Sequence, residues 1–286
     1  MSERTTYVSS DVAGPLQNLR QVKQVYSEVF TSIDGVEYVA YRNARNIRDS
    51  ISYLQDCGFK ELSLHARMGG GGSGLVDRAQ VALIDATIIP TSIAIKEFSE
   101  DFEILFHAPE LMKTSSLNAL KHKNPRFIWA ENDHYALEGI AFAKRTVERL
   151  SLMGVRCGLM LDIAHALGVK VLKSGQLNTA WDELNAFVRQ QLIQPYKKGG
   201  MKILHGIHLP IGRKKTDSLP VVDPSLVSDS MLTDIHDWIV EGDLRRVVIE
   251  NQLGLPAALL PSDMKLRRQY VQVIFNRLQN SNIIRT

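Results

Sequence analysis

A closed α/β barrel is the fold class this chain predicts, and three features of its sequence carry that reading. Short, almost wholly apolar runs such as 127–131 (FIWAE), 157–162 (CGLMLD) and 246–250 (RVVIE) suit strands buried on both faces of a parallel sheet. Helical patterns follow these runs, so that strand and helix alternate. Those three runs, together with 203–208 (ILHGIH), end in Glu131, Asp162, His208 and Glu250, all residue types that ligate metals. In a barrel, such residues converge at the carboxyl ends of the strands, where active sites lie.

The elements follow in order. Residues 14–30 carry Leu16, Leu19, Val22, Tyr26 and Phe30 at three- and four-residue steps, which predicts an amphipathic helix on the barrel's outside, within an N-terminal extension over 1–35. A first strand is expected over 36–41, a helix over 47–57 stopped by Gly58, and a second strand over 61–65 (ELSLH). The glycine-rich MGGGGSG loop and a mixed segment over 77–99 lead to a strand over 103–107 (EILFH). Only about two dozen residues then separate His107 from Glu131, which is short for a crossover with its helix and turns. Beyond Glu131 the alternation is regular: helix 134–153, strand 157–162, helix 179–193, strand 203–208, helix 226–240, strand 246–250 and helix 262–279. Seven strands are clear, and 82–92 or the N-terminal TTYVSS could supply another. The expectation is a TIM-type (β/α) barrel preceded by an extra helix, with distortion or the lack of one βα unit left open.

With 286 residues, 44% of them hydrophobic, the chain can bury one large core, so 1–286 reads as a single barrel domain. No run approaches the roughly 20 apolar residues of a membrane span, and the N-terminus shows neither a basic nor an apolar leader region, so a soluble cytoplasmic protein is expected. Cys57 and Cys157 lie far apart without metal-ligand spacing and read as buried free thiols. A net charge of +3, with Arg213, Lys214 and Lys215 clustered just beyond His208, suits a small anionic substrate and is weak for a duplex-binding stripe. Self-association is left open.

Asp162 and His165, three residues apart at a strand end, can present both side chains to one site. Equally, Asp162 can cap a helix while His165 packs behind it. His65 and Arg67 border the glycine loop and are candidates to line a pocket or reach an anion. GGGGSG lacks the Lys-Ser/Thr of a Walker motif and reads as a lid. Trp129 shares the face of Glu131, with barrel core as its default place. His205, three residues before His208, is expected to point elsewhere.

In order and spacing, FHAPEL (106–111), AEND (130–133), LDIAHALG (161–168), GIHL (206–209) and VVIEN (247–251) resemble the xylose isomerase-like barrel superfamily, over roughly residues 36–260. That superfamily holds sugar isomerases and epimerases, endonuclease IV type enzymes and iron-dependent oxidases. The resemblance to the epimerases implies one manganese, magnesium or cobalt ion on Glu131, Asp162, His208 and Glu250. It also makes Glu131 and Glu250 an acid/base pair on opposite faces of a small sugar-like substrate, with His165 and Arg213 on substrate oxygens. Metal-assisted proton transfer is the implied chemistry.

The endonuclease IV type implies instead a zinc cluster, with His107 as a further ligand. Two features depart from that pattern: a second histidine expected on the next strand, and an Asp-x-His pair expected after His208. A multinuclear zinc or iron hydrolase or oxidase is therefore the alternative enzyme reading, and a non-catalytic barrel serving as a binding or partner protein is the other.

Overall fold

The computed structural model describes residues 4–9, 33–40, 44–56, 59, 61–66, 91–133, 136–168, 174–211, 221, 223–251 and 264–284. Eight strands form a closed barrel in sequence order: β1 (Thr5–Ser9), β2 (Gly35–Ala40), β3 (Glu61–Ala66), β4 (Glu103–His107), β5 (Phe127–Glu131), β6 (Cys157–Asp162), β7 (Leu204–Ile211) and β8 (Arg246–Asn251). Every neighbouring pair is parallel, and β1 closes the ring by pairing Tyr7 with Val248 of β8. The barrel is therefore complete, which corrects the expectation of a missing unit.

The eighth strand is the N-terminal TTYVS, so Thr5–Ser9 belongs to the barrel wall and not to an extension before it. The helix expected over 14–30 lies outside the described residues. Of the other candidate strand, 82–92, only Thr91 and Ser92 are described, and they open the helix Thr91–Phe98.

The short stretch between His107 and Glu131 is a complete crossover. Two brief helices, Ala108–Leu111 and Thr114–Lys121, carry the chain back, and β4 pairs directly with β5 from Glu103↔Phe127 to His107↔Glu131. Pro109 at the start of the first helix suits its opening turn, where a missing N–H costs nothing. Longer helices follow at Ala136–Leu152, Ser174–Phe187 (continued as a π-helix over Val188–Ile193), Asp229–Glu241 and Met264–Asn280. Helix Asp229–Glu241 begins where Ser228 Oγ accepts the Met231 N–H at 3.3 Å.

Alternation along the strands sorts residues into two apolar cores. Ile104, Phe106, Ile128 and Ala130 belong to the large cluster that joins the barrel wall to buried helix residues such as Ile140, Val147, Ile235 and Trp238. Leu105, Trp129, Met160, Val248, Tyr7 and Phe127 form a separate cluster inside the barrel. Trp129 thus fills the interior. Every residue of β5 and β6 is buried, as strands covered on both faces require.

One strand breaks the alternation. Leu159 pairs with Leu204 but Met160 with Gly206, so His205 is an extra residue in β7. The His205 ring lies against Phe127, in the space a side chain at Gly158 would need; a Cβ there would stand 2.6 Å from it. His205 and His208 therefore both face inward despite their spacing of three, which corrects the expectation for His205. Cys157 is a buried free thiol, while Cys57 lies outside the described residues. Among the described residues no helix is long and apolar enough to cross a membrane.

Candidate metal centre

The last inward-facing positions of the strands carry ligand chemistry. Reading inward residues upward gives Glu103, Leu105 and His107 on β4, Phe127, Trp129 and Glu131 on β5, and Arg246, Val248 and Glu250 on β8. Register sets the heights: His107 is level with Glu131, and Asp162 with His208. Eight side chains meet there: Glu37, His65, His107, Glu131, Asp162, His165, His208 and Glu250. Their donor atoms fall into four overlapping groups of three, each within 4.8 Å: Glu37–His65–His208, His65–His107–Glu131, Glu131–Asp162–His165 and Asp162–His208–Glu250.

Glu131, fully buried, stands at the centre. Its Oε1 lies at hydrogen-bond distance from His208 Nδ1, 2.6 Å, while its Oε2 lies 3.4 Å from both His65 Nε2 and His107 Nε2. His208 Nδ1 is also 3.8 Å from Asp162 Oδ2 and 3.9 Å from Glu250 Oε2. Asp162 fills both roles open to it in the sequence. Its Oδ1 caps the helix Ile163–Leu167 by accepting the His165 N–H at 2.8 Å, and its Oδ2 lies 3.3 Å from His165 Nδ1. Asn132 clamps the ends of β5 and β6 together: its side chain accepts the Asp162 N–H at 2.8 Å and donates to the Asp162 carbonyl at 2.9 Å.

Six buried atoms in this cluster have no hydrogen-bond partner among the described residues: Glu37 Oε2, His65 Nε2, His107 Nδ1, Glu131 Oε2, Asp162 Oδ2 and His208 Nε2. Buried polar atoms are ordinarily satisfied, since each orphan costs about 1–3 kcal/mol. Carboxylate oxygens and imidazole nitrogens left unsatisfied together are the donor set of a divalent cation, and these residues fit one.

The charges reinforce one another. Burial opposes ionisation of Glu131, but His208, His107 and His65 hold its carboxyl well below the ordinary range. Burial likewise disfavours the His65 imidazolium, yet Glu131 and Glu37 raise it to about 10. His208 is driven well above its usual value against burial by Glu250, Glu37 and Glu131. Burial, helped by the positive charge of His65 and His165, lowers His107 to about 4, and burial raises Asp162 to about 7.

Of the residues singled out in the sequence, Glu131, Asp162, His208, Glu250, His165, His107 and His65 converge here. Arg67, Arg213, the glycine loop, Lys214 and Lys215 lie outside the described residues. His65, on the strand before His107, supplies a second histidine beside it, which corrects the reading that this ligand is lost with a missing unit. Glu37 is the member that sequence reasoning misses. Its only signal is a carboxylate in the middle of an apolar strand, GVEYVA.

No family model matches the chain, and neither does any curated protein. Among solved structures it is similar to a D-tagatose 3-epimerase-like protein, with 15% identity over 96% of this chain and 98% of that one and a TM-score of 0.49. It is similar to an L-ribulose 3-epimerase, with 12% identity over 99% and 96% and a TM-score of 0.49. A dihydropteroate synthase from Thermus thermophilus stands beside them, at 12% identity over 96% and 94% and a TM-score of 0.48. Sugar 3-epimerases are thus among its structural neighbours, but at these TM-scores the likeness carries no argument about chemistry. What the chain's own geometry defines is a closed parallel (β/α) barrel with a buried histidine–carboxylate cluster at the carboxyl ends of its strands.

Proposed function

We propose that the protein is a cytoplasmic, divalent-metal-dependent enzyme that isomerises or epimerises a small polyol or sugar-like substrate by proton transfer. The observation that carries the reading is the set of unsatisfied, buried carboxylate and imidazole atoms around Glu131, where the barrel strands end. Asp162, His208 and Glu250 form one ligand group, and Glu131 completes it through His208. A divalent ion held by these residues would supply Lewis-acid polarisation of a substrate carbonyl and its neighbouring hydroxyl, which would acidify the hydrogen on the adjacent carbon.

The chain's own residues supply the remaining chemistry. Glu131 and Glu250 are assigned as the acid/base pair, one accepting that proton and the other returning one. His165 is anchored through Nδ1 against Asn132 O at 3.3 Å and Asp162, and is assigned to a substrate oxygen, as is Arg213. A buried site whose donors are already fixed in place excludes water and holds the substrate in one orientation.

One observation favours a second reading. The two oxygens of Glu131 face two sets of candidate ligands, Oε1 toward His208 and Oε2 toward His65 and His107, so these residues would have donors for a second ion. Two zinc or iron ions would direct the chemistry to hydrolysis or oxidation. Elemental analysis of protein purified without chelator tests both. One manganese, magnesium or cobalt per chain, lost in Asp162→Asn, supports the isomerase reading and leads to a carbohydrate screen. Two zinc or iron ions move the assignment to the second reading, and no metal after reconstitution overturns both.

A further inference from the structure

Glu37 lies where a ligand is not expected. It pairs in register with Ser63, one inward position below His65, so it sits beneath the cluster rather than at its open rim. Its side chain is 1% exposed. Oε1 accepts from His65 Nδ1 at 3.1 Å and lies 3.2 Å from His208 Nε2. Oε2, the other oxygen of the same carboxylate, has no hydrogen-bond partner, and neither has His208 Nε2. One carboxylate thus stands against two histidines that come from strands on opposite sides of it in the barrel order.

A neutral imidazole carries one N–H and one lone pair, and only the nitrogen with the lone pair can bind a metal. Which nitrogen that is depends on what receives the N–H of the other. If Glu37 receives the His65 Nδ1–H, the lone pair falls on Nε2, which faces Glu131 Oε2 at 3.4 Å. If it receives the His208 Nε2–H, the lone pair falls on Nδ1, which faces Glu131, Asp162 and Glu250 at 2.6–3.9 Å. Those are the sides with several donors. On the reverse choice, Glu37 would be the only carboxylate near either nitrogen among the described residues.

We propose that Glu37 is a positioning residue, which orients His65 and His208 and sets which ring nitrogen of each faces the ligand cluster. The inference rests on the metal-site reading above and goes beyond it by giving one carboxylate control of both ligand sets around Glu131. A partner in this role typically changes metal affinity by about 10–100-fold.

The test uses zinc, which is diamagnetic, and the full chain. Long-range 1H–15N correlation spectra of the zinc-loaded wild type should show His65 carrying its N–H at Nδ1 and His208 at Nε2. Glu37→Ala should weaken zinc binding by about 10–100-fold, measured by competition with a chromophoric chelator, and Glu37→Gln, which keeps an oxygen acceptor, should recover part of the loss. If Glu37→Ala does not fold, Glu37→Gln and the wild-type spectra still decide. An N–H on His65 Nε2 or His208 Nδ1, or unchanged affinity in a folded Glu37→Ala, overturns the proposal while leaving the metal site in place. Failure of the wild type to bind zinc overturns the metal-site reading itself.

Discussion

The two ends of the barrel interior are built from the same strands, and they treat charge in opposite ways. At the amino-terminal end, Glu103 accepts from Trp129 Nε1 and Arg245 Nη2, each at 2.9 Å, and pairs with Arg246 Nη2 at 2.8 Å. Arg246 stacks over Tyr7 at 3.9 Å and Arg245 over Phe127 at 3.8 Å, so the faces of these guanidinium groups are covered by rings. Tyr7 donates its hydroxyl to Glu61 at 2.5 Å. At the carboxyl-terminal end, two inward positions along β4, β5 and β8, carboxylates and imidazoles crowd together with six of their atoms unsatisfied among the described residues. At the lower end Arg245 Nε and Arg246 Nε and Nη1 also lack hydrogen-bond partners there, but they belong to cations already paired with Glu103 and stacked on rings, whereas the unsatisfied atoms above are of the types that bind a cation. The division matches the usual one in barrels, stability below and chemistry above.

The contrast can be broken at either end. The largest stability effect is expected below: Glu103→Leu leaves two arginines without their carboxylate and should cost about 3–5 kcal/mol. Urea unfolding measures this, and the folded fraction should retain its metal. A loss under about 1 kcal/mol would show that the lower network is not what holds that end together. Above, Asp162→Asn should remove most bound metal while leaving the metal-free protein as stable as before, because an asparagine oxygen can still cap His165 N–H. Metal content and thermal melting, read on one preparation, check both halves; a variant that unfolds would place Asp162 among the structural residues.

The smallest effect sharpens the comparison by pH. His65 is held up to about 10 although burial opposes its charge, because Glu131 and Glu37 flank it. A raised histidine contributes stability that is complete below its ordinary value of 6.5 and is lost as pH rises through about 10. The metal-free protein should therefore weaken across that window, and His65→Gln should flatten the slope. Equal slopes for the two proteins would mean that His65 is not charged in the folded state.

Much of this was legible because candidate ligands such as Glu131, Asp162 and Glu250 close short apolar runs, where a charged side chain has little other reason to be. Three features were legible only in part or not at all. TTYVS could be read as a strand, but it is brief and polar, and nothing in it says that it closes a ring until Tyr7 pairs with Val248 of β8. The crossover at 108–121 looks too short because it is divided between two small helices. Glu37 sits inside its strand, where a sequence cannot distinguish a carboxylate on the interior face from one on an exposed face.

By itself the sequence determined the alternation of buried strands and amphipathic helices, the parallel sheet that such alternation implies, and most residues of the candidate metal centre. These follow from local periodicity and from the rule that a strand's last inward side chain reaches the barrel mouth. Only the tertiary structure decided that eight strands close, that an extra residue in β7 turns His205 and His208 to the same side, and that Glu37 joins His65 to His208. Those depend on register between strands far apart in the chain, and a shift of one residue moves a side chain to the other face.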